Sequence, residues 1–245
     1  MSNLLVIHQN NNLIQEQEDV LNQFMDWNIW FMDNNEVTLR DIDLFLKEQD
    51  IHFLILSKEF DAETAQEILY LHNHYPLLQI IYYYTQLKSG EFAELAQVGI
   101  NYCIIGDARQ INLIKKLNQL WESHWRRIPD SLRPKEEQHL TARTRQMILY
   151  IETKSLRNLS TSELARSLKI SESHLRTEFK RFFNLSFREY KQKLFHHYES
   201  ILLLEKQIKP KQVYEILNYK NISAFSRSFK SRHGKTWQQL AKQMV

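Results

Sequence analysis

Two arginines, Arg176 and Arg227, stand in closely similar surroundings about fifty residues apart, the first followed by Lys180 and Arg181 and the second by Lys230 and Arg232. A guanidinium fork can donate two hydrogen bonds to O6 and N7 of one guanine, worth about 1–3 kcal/mol of discrimination between bases. Lysines and further arginines supply charge for phosphate, where sequence is not read. The chemistry within reach of these residues is recognition of a polyanion. Base reading is assigned to Arg176 and Arg227, and phosphate contact to Lys180, Arg181, Lys230 and Arg232. Ser173 and Thr177 share the face of the first arginine, and Ser223 and Ser226 that of the second.

Something must hold those faces outward. Leu175, Phe179, Lys180, Asn184, Ser186, Phe187 and Tyr190 recur fifty positions later as Phe225, Phe229, Lys230, Gly234, Thr236, Trp237 and Leu240. At helical spacing Leu175, Phe179 and Phe182 bury one helix, and Phe225 with Phe229 buries the other. Each follows a shorter amphipathic helix across a tight turn. Either copy alone is explained by bundle packing with solvated basic residues; the pair points to two helix-turn-helix units, whose second helices lie in the major groove of DNA.

The spacing predicts a helix over about 141–155, with Met147, Ile148 and Ile151 inward. A second helix opens with a capping box at Ser160-Thr161-Ser162-Glu163, and a third is capped by Ser171 and runs to Phe183. A long helix over about 187–206 follows, its roughly 20 residues spanning about 30 Å, close to the ~34 Å between successive major grooves on one face of DNA. Pro210 suits a first turn, the last repeated helix runs over about 223–233, and Gly234 stops it.

The formal charge of +3 conceals a division. Residues 139–245 hold 21 Lys and Arg against 8 Asp and Glu, whereas residues 1–138 hold 11 basic and 21 acidic, a net of −10. A basic segment without aspartate, beside an acidic one, marks a polyanion-binding half. In the acidic half, apolar runs at 3–7, 27–32, 52–56, 78–84 and 100–105 alternate with amphipathic segments at about 11–24, 37–49, 61–74, 88–97 and 109–124. Five βα units predict a flavodoxin-like (βα)5 doubly wound parallel sheet. The charged, proline-bearing stretch 126–138 reads as a linker. The expected organisation is therefore a regulatory α/β domain over 1–125, then an all-α domain over 139–245 with two helix-turn-helix units joined by a long helix.

Several classes are disfavoured. The four glycines are too scattered for a phosphate-cradling loop, so nucleotide hydrolysis, dinucleotide chemistry and flavin binding lack their usual support. The histidines offer no zinc spacing, and adjacent His196 and His197 diverge on a helix. Cys103 reads as a small core residue, and Tyr82-Tyr83-Tyr84 as strand residues packing on alternate faces. No stretch approaches the roughly 18–20 apolar residues of a membrane span, and the first residues read as a strand rather than a leader. The expectation is a cytoplasmic protein associated with the nucleoid, with no catalytic residue, metal or cofactor.

Ser171-x-x-x-Leu175-x-x-x-Phe179-Lys180, then Phe225-Ser226-Arg227-x-Phe229-Lys230-x-x-x-Gly234-x-Thr236, resembles the DNA-binding domain of AraC/XylS-type transcription regulators over about the last 106 residues. The resemblance implies a seven-helix domain that binds double-stranded promoter DNA, usually activating transcription alongside RNA polymerase. Three positions depart from the pattern: Asn218 where glycine is usual before the aromatic Tyr219, Tyr214 for a small alanine, and Trp237 where proline is usual.

The front half resembles, less specifically, the receiver domains of response regulators. That family binds Mg²⁺ with acidic residues after the first strand, phosphorylates an aspartate ending the third, and carries a lysine at the end of the fifth. Strand register puts His8 and Gln9, Ser57 and Ile105 at those positions, with Thr85 retained after the fourth strand. A serine cannot form an acyl phosphate, and without carboxylates the site lacks the anionic oxygens a divalent cation prefers. Only a register shift to Glu59 or Asp61 would restore an acid. The expectation is a phosphorylation-independent domain for homodimerisation or for a protein or small-molecule effector, attached to a sequence-specific activator. The alternative is an adaptor that holds a protein through its acidic half and DNA, without strong sequence preference, through its basic half.

Overall fold

The computed structural model describes residues 2–25, 27–134, 141–154, 156 and 159–241. The chain divides after Ser123 into two compact units. In the first, β1 (Asn3–His8), α1 (Asn11–Leu21), β2 (Asn28–Asp33), α2 (Leu39–Gln49), β3 (Phe53–Ser57), α3 (Ala62–His74), β4 (Gln79–Tyr83), α4 (Glu91–Gln97), β5 (Tyr102–Ile104) and α5 (Arg109–Glu122) alternate as the apolar runs predict. The strands pair in parallel in the order β2-β1-β3-β4-β5, the doubly wound order of flavodoxin-like folds.

Because both faces of such a sheet are covered, its central strands can be apolar throughout. Leu5, Ile7, Leu54, Leu56 and Tyr82 pack with residues of α2, α3 and α4. Leu4, Val6, Phe53, Ile55 and Tyr83 pack on the other face with α1 and α5. Alternation along β4 thus separates Tyr82 from Tyr83, whose hydroxyls bond the Lys58 carbonyl (2.8 Å) and Glu16 respectively. Cys103 is half-buried in the first of these cores.

The second unit is helical: α6 (Ala142–Thr153), α7 (Thr161–Ser167), α8 (Glu172–Phe183), α9 (Phe187–Ser200), α10 (Pro210–Ile216), α11 (Ile222–His233) and α12 (Trp237–Ala241). The expected end of α6 at 155 falls on a residue outside the description. The long connecting helix is not α-helical to its end: a π turn, Ile201–Glu205, closes it, and Gln207 then turns the chain at φ 52°. α9 itself, 14 residues, spans about 21 Å, and the π turn carries the same helix on to Glu205, next to the end expected at about 206.

The stretch read as a linker is also different. Residues 124–134 pack into the second unit, with Trp125, Ile128 and Leu132 buried and Arg126 fully buried. Arg126 donates to the Lys154 carbonyl at 2.6 Å, just past α6, where carbonyls left unpaired at a helix end favour a cation. Its own carbonyl accepts from the Tyr198 hydroxyl (2.9 Å), and Glu152 accepts from Ile128 N (3.0 Å) and Arg133 (2.8 Å). High charge and prolines suggested a solvated tether; Arg126 and Arg133 are instead held within the unit, by carbonyls past α6 and by Glu152. Residues 135–138 of that expected linker lie outside the description.

Candidate nucleic-acid interface

Two helix-turn-helix motifs are present, α7–α8 and α10–α11. The first helices begin 49 residues apart and the second helices 50 apart, so the second turn, 217–221, holds one residue more than the first, 168–171. Each turn passes through the left-handed region, at Lys169 (φ 54°) and Asn218 (φ 54°). Asparagine tolerates that conformation better than most residues, which explains how Asn218 stands in for glycine.

The caps repeat as well. Ser171 accepts from His174 N (3.2 Å) and Asn221 from Ala224 N (2.8 Å), so each second helix starts on a polar side chain that satisfies an otherwise unpaired N–H. Each ends on a left-handed residue, Asn184 (φ 54°) and Gly234 (φ 70°). Ser186 with Glu189 and Thr236 with Gln239 then form reciprocal caps on α9 and α12. The box expected at Ser160 is half made: Ser160 accepts from Glu163 N (3.2 Å), but the Glu163 carboxylate pairs with Arg166 (2.6 Å).

Beneath α8, Leu175, Phe179 and Phe183 are buried. Phe183, rather than the expected Phe182, fills the core, because it stacks on Phe179 at 4.3 Å and meets Tyr190 of α9 at 5.0 Å. Phe182 stays half-buried beneath the Arg181 guanidinium, 4.8 Å from its ring centre. Beneath α11, Phe225 and Phe229 are buried against each other at 5.6 Å.

The outward faces follow. Ser173, Arg176, Thr177, Lys180 and Arg181 are exposed on α8, and Ser223, Arg227 and Lys230 on α11. The two faces differ in charge. α8 carries Glu172, bonded to Arg176 at 3.0 Å, and Glu178, bonded to Arg143 of α6 at 2.8 Å. Burial pushes the Glu178 carboxyl up, but Arg143 and His174 outweigh it and hold it below the usual range. α11, ISAFSRSFKSRH, has no acidic residue.

Two expected contacts are placed elsewhere. Ser226 is half-buried and accepts from Trp237 Nε1 at 3.2 Å, so the tryptophan standing at a proline position clasps the recognition helix. Arg232 turns inward: its Nε donates to Glu199 Oε2 at 3.1 Å, and its guanidinium also meets the Tyr219 hydroxyl. Glu199, on α9, is fully buried and bonds His233 as well (3.0 Å). Burial raises its carboxyl, but His233 and Arg232 outweigh this and hold it below the usual range. Arg232 therefore fastens α11 to α9 instead of reaching phosphate. Sequence reading passed over Glu199, which lies one turn after Phe195, on the flank of the apolar stripe of α9.

In the first unit the expected positions gather at the carboxyl ends of the strands. His8 and Ser57 are register partners and both buried, while Gln9 N bonds the Ser57 carbonyl at 3.1 Å. Thr85 follows β4 with its carbonyl bonded to Gly106 N (3.0 Å), and Ile105 lies just past the end of β5, exposed. The nearby acids are engaged, Glu59 with Lys88 and Asp61 as the cap of α3 through Thr64 N (2.8 Å). Lys58, missed from sequence, is buried beside Ser57, donating to Asn34 (3.0 Å) and to Glu67. Among the described residues no group of three His, Cys, Asp or Glu could hold a metal ion, and no helix is long and apolar enough to cross a membrane.

Residues 164–243 match a family described as a helix-turn-helix domain. Over 78 residues, 32% of this chain, the sequence is 37% identical to an HTH-type transcriptional regulator, YtdP, of Bacillus subtilis (strain 168). The match covers 10% of that regulator's length. Solved structures with remote likeness include the RcsB response regulator of Salmonella typhimurium, 16% identical over 89% of this chain and 98% of that one, with a TM-score of 0.42. A response regulator from Thermotoga maritima is 13% identical over 50% of this chain and 99% of its own, with a TM-score of 0.43. Residues 164–243, which hold both motifs from Leu164 of α7 through α12, therefore carry a helix-turn-helix domain.

Proposed function

We propose that the protein is a sequence-specific DNA-binding transcription regulator, working in the cytoplasm on the nucleoid, whose α8 and α11 enter major grooves of one promoter site. The observation that carries this reading is the doubled motif, with two capped recognition helices presenting Arg176 with Lys180 and Arg227 with Lys230 from separate aromatic cores. The faces differ, so the expected target is asymmetric. Activation and contact with RNA polymerase rest on the family resemblance alone. The first unit serves as an interaction domain without phosphorylation chemistry, for a second copy or an effector. This is supported by a strand-end cluster of His8, Gln9, Ser57, Thr85 and Ile105, whose neighbouring acids are held by Lys88 and by the α3 cap.

The test is binding of the full chain to a duplex selected from a random pool, against unselected duplex, over a salt series. A specific-to-random ratio of about 10³ or more at physiological salt is expected. A ratio near one at every salt concentration would leave the adaptor reading instead.

A further inference from the structure

Among the described residues of the second unit, the large apolar side chain most open to solvent is Ile222, at 39%. A single exposed apolar residue ordinarily needs no explanation; its position supplies one here. Ile222 is the first residue of α11, immediately after the Asn221 cap. The N-terminal residues of a recognition helix are those that reach base edges in the major groove. Of the first six residues of α11, three are exposed: Ile222, Ser223 and Arg227. Ser226 is tied to Trp237, Phe225 is in the core, and Ser223 and Arg227 lie one turn apart on one side. Ile222 lies one turn before Ser226 and borders the other side.

An isoleucine cannot bond base edges, and burial against phosphate would desolvate a charge for nothing. What the major groove offers an aliphatic group is the C5-methyl of thymine. We infer that Ile222 is a base-reading residue that selects thymine by contact with its methyl group, at a position displaced from the guanine read by Arg227. The inference rests on the DNA-reading function proposed above. It makes the second motif a mixed reader, with a methyl contact at one side of α11 and a guanidinium contact at the other.

The experiment uses the full chain and the duplex recovered by selection from a random pool, with each thymine replaced singly by deoxyuracil, which deletes only the methyl. Wild type is expected to lose about three- to five-fold in affinity at one thymine position, as for one buried methyl group. Ile222→Ala should lose nothing further there, and Ile222→Val should keep most of the penalty. A guanine to 7-deazaguanine replacement should still weaken Ile222→Ala, showing that Arg227 reads in a folded helix. Equal deoxyuracil penalties in wild type and Ile222→Ala at every thymine, or no penalty anywhere, would overturn the assignment while leaving the regulator reading in place. A pool that never converges would overturn both.

Discussion

Arg227 and Arg232, five positions apart on α11, have opposite roles, and a helical wheel says why. Five residues turn a helix by about 500°, which sets Arg232 on the side of Phe225 and Phe229. There it meets fully buried Glu199, while Arg227 stays in solvent. Residue type alone had assigned Arg232 to phosphate; the angle would have corrected it. The two alanine variants should therefore separate cleanly. Arg227→Ala should leave thermal stability within about 0.5 kcal/mol of wild type and lose about 1–3 kcal/mol of preference for guanine at one position. Arg232→Ala leaves a buried carboxylate with only His233 and Tyr219, and should cost about 3 kcal/mol in urea unfolding. Equal loss on all sequences for Arg227→Ala would make it a phosphate contact, and an unchanged urea midpoint for Arg232→Ala would show that the Glu199 pair is not holding α11.

At the scale of elements, the turns are where the repeat is least regular. Lys169 and Asn218 both sit at φ 54°, but a long branch-free side chain on Cβ crowds the following carbonyl in that region, at about 1–2 kcal/mol, whereas asparagine finds local relief. Lys169→Gly is expected to raise stability by about 0.5–1 kcal/mol and Asn218→Gly by less, read as shifts in melting temperature; the reverse order would mean that Lys169 makes a compensating contact. Much of this architecture was legible beforehand. Five βα units, the Ser171 cap, the Gly234 stop and the cores built on Leu175, Phe179, Phe225 and Phe229 follow from periodicity and capping chemistry. The choice of Phe183 over Phe182 was not, since both fall within one apolar arc of α8, and only packing against Tyr190 on α9 decides between them. Nor was the π turn at Ile201–Glu205, because the apolar pattern there continues unbroken.

For the whole molecule, the boundary between the units is the point at which composition misled. Prolines and alternating charge over 126–138 have the look of a tether, but charge patterning says nothing of whether the opposite charges are supplied by the fold. Here they are: Glu152 meets Arg133 and Ile128 N, and Arg126 closes the end of α6. The second unit therefore begins at His124, and a cut at 139 removes part of its core. Burying Trp125, Ile128 and Leu132 contributes about 1.5–3 kcal/mol each, together comparable to the 5–15 kcal/mol by which such a unit is stable. The same cut leaves Glu152 buried without its arginine and the Tyr198 hydroxyl without the Arg126 carbonyl. A 124–245 fragment is expected to unfold cooperatively and to bind the selected duplex, while a 139–245 fragment should show helical circular dichroism without a sharp melt and bind far more weakly. Matching melts for the two fragments would show that residues 124–138 are the tether their composition suggested, and that the DNA-binding unit stands without them.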